Sequence, residues 1–265
     1  NVGDATRTLA SDFRLYPNHA RIVQQMNAVG FHSLPEILWR KQTNAPTKFM
    51  GSGMLPAGAY VTLEHEFILV FRKGSKREFV GQQQKHVRRQ SALFWEERNA
   101  WFSDVWMDVK GIGQQLGESS SRTRSAAYPF ELAYRLINMF SVRGDLVLDP
   151  FLGTGTTTAA AMASGRNSLG FEVDERMAAQ IELANASLTE YANRHLHERL
   201  QRHATYVSTR SWPEDAAQYR SQQYGFPVVT RQEQEICFDE MVRVCSLGAN
   251  QFEVDYRPLD LPAEF

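Results

Sequence analysis

The run Asp149-Pro150-Phe151-Leu152-Gly153-Thr154-Gly155-Thr156-Thr157-Thr158 constrains this chain more than any other stretch. An apolar strand, Leu146-Val147-Leu148, enters it, and an alanine-rich helix, Thr157 to Ala163, leaves it. Strand, glycine turn and helix in that order form a cofactor cradle. Glycine lets the backbone approach a ligand closely, and the amino terminus of the helix offers unpaired N–H groups. Glu172 follows seventeen residues after Gly155, at the end of a second apolar strand, Leu169-Gly170-Phe171. A carboxylate there can accept hydrogen bonds from both ribose hydroxyls of a nucleoside cofactor. Two plainer readings stay open at this level: a tight structural turn, and Asp149 as a helix cap.

A dinucleotide fingerprint requires a third glycine three residues after the second. That position is Thr158 here, which argues against the reading as an NAD-binding oxidoreductase. The form D-P-F-x-G-x-G-T-T instead resembles motif I of the amino-methylating DNA methyltransferases. The resemblance implies S-adenosylmethionine as cofactor and methylation of the exocyclic amine of adenine (N6) or cytosine (N4). It implies an α/β fold, Rossmann-like and of the S-adenosylmethionine-dependent methyltransferase type, with a mostly parallel, doubly wound sheet. Asp149, Phe151, Gly153, Gly155, Thr156 and Glu172 would then surround the cofactor.

The segment Ala126 to Leu132, followed by Arg135-Leu136-Ile137, is similar to motif X of the same family. By that likeness Tyr128, Pro129 and Phe130 close over the methionine end of the cofactor. The family often carries His-Pro where this chain has Arg124-Ser125. Motif X directly before motif I is the circularly permuted order of the beta class. Glu36 to Lys41 and Glu64 to Gly74 resemble the late strands of that class; Tyr224 to Glu233 and Phe252 to Tyr256 resemble segments of a bacterial and archaeal branch. His65 and Glu66 read as local packing, since one histidine with one acid is not a site.

The implied organisation has three parts: residues 1–73 as the later part of the catalytic subdomain, 74–122 as an inserted target-recognition region, and 123–265 as the cofactor subdomain with a carboxyl-terminal extension. Between Arg72 and Arg98 there are eight Lys/Arg against three acids, interleaved with Gln82, Gln83, Gln84 and Gln90. Cations neutralise phosphates, and Gln and Arg read base edges. In the family context Lys76, Arg77, Lys85, Arg88 and Arg89 are candidate contacts to double-stranded DNA; alone, the stretch reads as a solvated surface helix. Trp101 and Trp106 read as core rather than as a stacking platform. Residues 110–121 read as a linkage into motif X.

Composition is that of a globular protein: 43% hydrophobic, 22% charged, net charge −1. No apolar run approaches membrane-spanning length, and a cytoplasmic location is expected. Cys237 and Cys245 are expected on a helix, about 12 Å apart and too far for a disulfide. No metal site is expected. Glu175 to His203 reads as helical, with His195, His197 and His203 solvated.

The family's catalytic motif IV, an Asp/Ser/Asn-Pro-Pro-aromatic string, has no counterpart, because the chain contains no Pro-Pro. In the permuted order that motif precedes the segment resembled by Asn1 to Asp4 and the helix expected from His19 to Gly30. Three expectations follow: a longer enzyme whose catalytic loop lies before residue 1, half of a split enzyme, or a degenerate subunit that binds DNA and cofactor. A restriction endonuclease as functional partner and a homodimer are further options that the resemblance carries.

Overall fold

In a computed structural model of the protein, residues 1–10, 12–41, 50–110, 128–212, 219–248 and 250–261 are described. They form two compact units, Asn1–Glu78 with Ser103–Ser119, and Phe79–Phe102 with Ser120–Phe265. The division cuts through the 74–122 segment rather than setting it apart. The expected linkage over 111–121 and the Ala126-Ala127 start of motif X lie outside the described residues.

In the first unit, strands β1 (Ala5–Leu9) and β2 (Asp12–Tyr16) form a hairpin that leads into helix α1 (Asn18–Ala28). Strand β3 (Phe31–Ser33) and β4 (Ile37–Arg40) follow, then the short pair β5 (Met50–Gly51) and β6 (Ala59–Tyr60), then β7 (His65–Ile68) and β8 (Phe71–Lys73). Strand β9 (Val105–Trp106) completes the unit. β4 lies between antiparallel β7 and parallel β9, and β3 pairs with β8. Trp39 and Trp106 sit opposite one another in register and are both buried; the Trp39 indole donates to the Val109 carbonyl at 2.8 Å. A buried indole needs such a partner. His65 packs edge-on against Phe67 and Glu66 pairs with Lys41, so this pair has the local role expected for it.

In the second unit, α2 (Gln82–Gln90) and α3 (Trp95–Trp101) precede α4 (Phe130–Phe140), β10 (Leu146–Asp149), α5 (Thr156–Ala163), β11 (Asn167–Gly170), α6 (Met177–Ala186) and α7 (Leu188–Thr209). Two short strands, β12 (Tyr219–Arg220) and β13 (Pro227–Val228), and a hairpin, β14 (Asp239–Gly248) and β15 (Gln251–Pro258), end it. β10 and β11 run parallel with α5 as their crossover, as a β-α-β unit requires. With β4–β9 this is one of two parallel pairings among the described strands; the others are antiparallel. The small residues Ala160 and Ala161 let α5 press against α4, where Ala133 and Ile137 meet it beside Trp101. A second cluster joins Phe94, Leu196, Leu200, Val228, Ile236 and Phe238.

Two expectations need correction. Cys237 lies in a loop and Cys245 on β14, not on a helix. The β-branched Val242 and Val244 and the turn at Asn250, with φ of 57°, favour a hairpin there. The histidines of α7 are not all solvated. His203 is buried, bonded to Glu96 at 2.8 Å and to the Pro227 carbonyl at 3.0 Å. It shares a helical stripe with Leu196, Leu200 and Val207, so its spacing placed it inward. His195 is also largely covered; burial first, then Arg202 and Arg199, hold its pKa down to about 4. His197 remains half-exposed beside Glu240.

Candidate functional site

The site forms where β10 and β11 end. Beyond the strands the register continues: Phe171 donates its N–H to the Asp149 carbonyl at 2.9 Å, and Leu152 donates to the Phe171 carbonyl at 2.8 Å. The two strand ends therefore present their following loops side by side. Gly153 and Gly155 both have positive φ, 57° and 84°, a region that disfavours any side chain. Gly155 is the residue preceding α5, and no side chain caps that helix. Its first N–H groups thus lie at the turn without an internal helical partner. Gly170 permits the close approach of the Leu152 side chain, which a Cβ would meet at 2.7 Å.

Glu172 bridges the two loops. One carboxylate oxygen accepts the Gly153 N–H at 2.8 Å and the other accepts the Asp174 N–H at 2.8 Å. The acid is thereby fixed beside the glycine turn. Asp149 is held equally firmly. Its Oδ1 accepts the Phe151 N–H at 3.0 Å, and its Oδ2 accepts the Thr157 hydroxyl at 2.5 Å and the Tyr128 hydroxyl at 3.2 Å. Tyr128 and Thr157 are also hydrogen-bonded to one another. Asp149 is therefore not the α5 cap; it ties strand, turn and helix together. Burial first, and then the Asp149 charge, push the Tyr128 phenol up to about 12 and keep it a donor.

The other expected residues separate. Thr156 begins α5, its hydroxyl 3.5 Å from that of Thr154. Phe151 is 85% exposed at the turn, its ring available to a ligand. Pro129 is buried where it starts α4. Phe130 is the first residue of α4. Its ring packs on Tyr191 at 5.0 Å and His195 at 5.2 Å, which makes it part of the α4–α7 contact. Thr157 is not singled out by the sequence, where it stands between two other threonines, Thr156 and Thr158, in the first turn of α5.

The basic candidates fall in both units. Lys76 and Arg77 are exposed in the first. Lys85, Arg88 and Arg89 are exposed on α2 at spacings that place them on one face. Arg88 lies over the Phe79 ring, and Arg89 pairs with Glu235 at 2.6 Å. Among the described residues no cluster of His, Cys, Asp and Glu could hold a metal ion, and no helix is long and apolar enough to cross a membrane.

Comparison with known proteins gives consistent likenesses. A family model for N6/N4 methyltransferases, described as DNA methylase, matches residues 2–183. The type II methyltransferase M.MthZI of Methanothermobacter thermautotrophicus is 48% identical over 98% of this chain and 72% of its own length. M.MjaI of Methanocaldococcus jannaschii is 48% identical over 69% of this chain and 58% of its own length. Among solved structures, a candidate DNA modification methylase from Thermus thermophilus, complexed with S-adenosyl-L-methionine, matches with a TM-score of 0.55. It is 33% identical and covers 73% of this chain, which spans 67% of it.

Proposed function

Because the chain belongs to the N6/N4 DNA methylase family, we propose that its glycine turn and Glu172 form the cofactor site of a DNA amino-methyltransferase. The fold is the Rossmann-like one of S-adenosylmethionine-dependent methyltransferases. S-adenosylmethionine supplies a methyl group on a sulfonium centre, and the acceptor is an exocyclic amine of adenine or cytosine in duplex DNA. The chain's own part is to bind and orient. The observation that carries the reading is the bridge from Glu172 to Gly153, which holds a carboxylate beside a positive-φ glycine turn at an uncapped helix terminus. Glu172 faces the ribose hydroxyls, Gly153, Gly155 and Thr156 line the turn, Phe151 offers an apolar face, and Tyr128 closes the methionine end. Asp149 acts from behind, by fixing the turn.

Lys76, Arg77, Lys85 and Arg88 contact DNA phosphates or base edges, with Arg89 shared between DNA and Glu235. A restriction endonuclease of the same specificity is the functional partner, as the type II relatives suggest, and the enzyme works in the cytoplasm. The test is transfer of labelled methyl from S-adenosylmethionine to duplex DNA by the full-length protein, followed by nucleoside analysis. N6-methyladenine or N4-methylcytosine is the expected product. Cofactor binding without any methylated base would overturn the enzymatic reading for this chain and leave a binding subunit.

A further inference from the structure

We infer that Thr157 is a positioning residue, whose hydroxyl latches the Tyr128 segment onto Asp149 and so holds one end of the cofactor site closed. The inference rests on the reading of the glycine turn as an S-adenosylmethionine site. Three separate elements converge on one carboxylate oxygen. Asp149 ends β10, Thr157 lies in the first turn of α5, and Tyr128 precedes α4 by two residues. An ionised carboxylate only accepts, so the Thr157 hydroxyl donates its single proton to Asp149. Thr157 can then only accept from Tyr128, and the phenol is the donor in their contact. The bonds form a directed relay, Tyr128 to Thr157 to Asp149. The second contact of the phenol, to Asp149 itself, is the longer one at 3.2 Å.

This use of a threonine has a cost that helix formation does not explain. Threonine is a poorer helix former than the alanines that follow it. Its hydroxyl turns to Asp149 rather than back to the carbonyl of the preceding turn, the usual local partner in a helix. The side chain is also buried, so both its donor and its acceptor need internal partners. Pro129 has no N–H to give, which leaves the Tyr128 hydroxyl as the side-chain tether at this point of the segment. Loss of the Thr157 hydroxyl would leave the segment only the longer Tyr128–Asp149 bond, at 3.2 Å, while Glu172 stays bridged to Gly153. The two ends of a bound cofactor should therefore respond differently.

The experiment compares S-adenosylmethionine with methylthioadenosine, which retains the nucleoside and lacks the amino-acid end, by calorimetric titration of the full chain. Thr157→Val should weaken S-adenosylmethionine about tenfold, the scale of a lost hydrogen bond to a charged group, and change methylthioadenosine by less than about twofold. Thr157→Ser, which keeps the hydroxyl, should restore the affinity. Tyr128→Phe combined with Thr157→Val should cost little more than Thr157→Val alone, because either change breaks the same relay. Equal loss for both ligands would reduce Thr157 to a structural residue and overturn the inference, as would unchanged affinity for both. Failure of the unaltered, folded chain to bind either ligand is a different result: it overturns the cofactor reading itself.

Discussion

At the scale of single residues, two carboxylates divide the work of the turn. Asp149 is consumed by internal bonds, whereas Glu172 anchors the turn and presents its charge at the loop ends. Glu172→Ala should lower S-adenosylmethionine affinity about 10- to 100-fold, the range of one charge-assisted hydrogen bond or more, with the fold retained by circular dichroism. Glu172→Gln keeps an oxygen acceptor and should lose less; unchanged affinity in both variants would remove the ribose role. Tyr128 gives a second handle. Its pKa rises from 10.0 to about 12, so the folded state favours the neutral phenol. That stabilisation is complete below about pH 10 and is lost as pH rises towards about 12. Tyr128→Phe should make the alkaline decline in the thermal unfolding midpoint shallower, the remainder coming from Tyr191, Tyr224 and Tyr256, whose phenols burial also pushes up; a decline as steep as that of the unaltered chain would contradict it. Glu172 was legible in the sequence because it follows a strand at a fixed distance from the glycines. The relay through Thr157 was not, since Tyr128 and Thr157 are neighbours only after α4 has packed on α5.

At the scale of elements, α7 is organised around a buried charge. Arg199 makes two bonds to Glu97, at 2.5 Å and 2.7 Å, donates to the Tyr134 hydroxyl at 3.1 Å, and lies over the Phe238 ring at 4.8 Å. The pair ties α7 to α3, and Tyr134 extends it to α4. Glu97→Gln should destabilise the protein by about 3–5 kcal/mol, because the guanidinium stays buried without its counter-charge. Glu97→Leu with Arg199→Met should cost clearly less than Glu97→Gln alone, as measured by urea unfolding. Equal costs would mean that the pair contributes packing rather than charge compensation. The sequence disclosed α7 as a helix but misjudged its faces. Arg199 and His203 read as surface residues until set against the stripe of Leu196, Leu200 and Val207, where Arg199 follows Leu196 by three residues and His203 lies three after Leu200 and four before Val207. The hairpin of β14 and β15 was misjudged near its cysteines for a related reason: an apolar run of that length fits helix and strand alike.

At the scale of the molecule, the β10–α5–β11 unit, proposed above as the cofactor site, was also the most legible part. Its glycines, its alanines and its terminal acid each have one structural reason to be where they are. The division into two units was less legible, because residues 79–102 carry the charge pattern of an exposed insertion yet supply Phe94 and Trp101 to the core of the second unit. Pattern and charge alone do not reveal which aromatic side chains a helix will bury. The central claim is that the turn after β10 is an S-adenosylmethionine site. Isothermal titration of the folded chain with S-adenosylmethionine tests it most directly. The account predicts saturable binding at one site, displaced by S-adenosylhomocysteine, not reproduced by NAD(H), and weakened by Glu172→Ala. No binding by the folded chain, or binding of NAD(H) in its place, would contradict it.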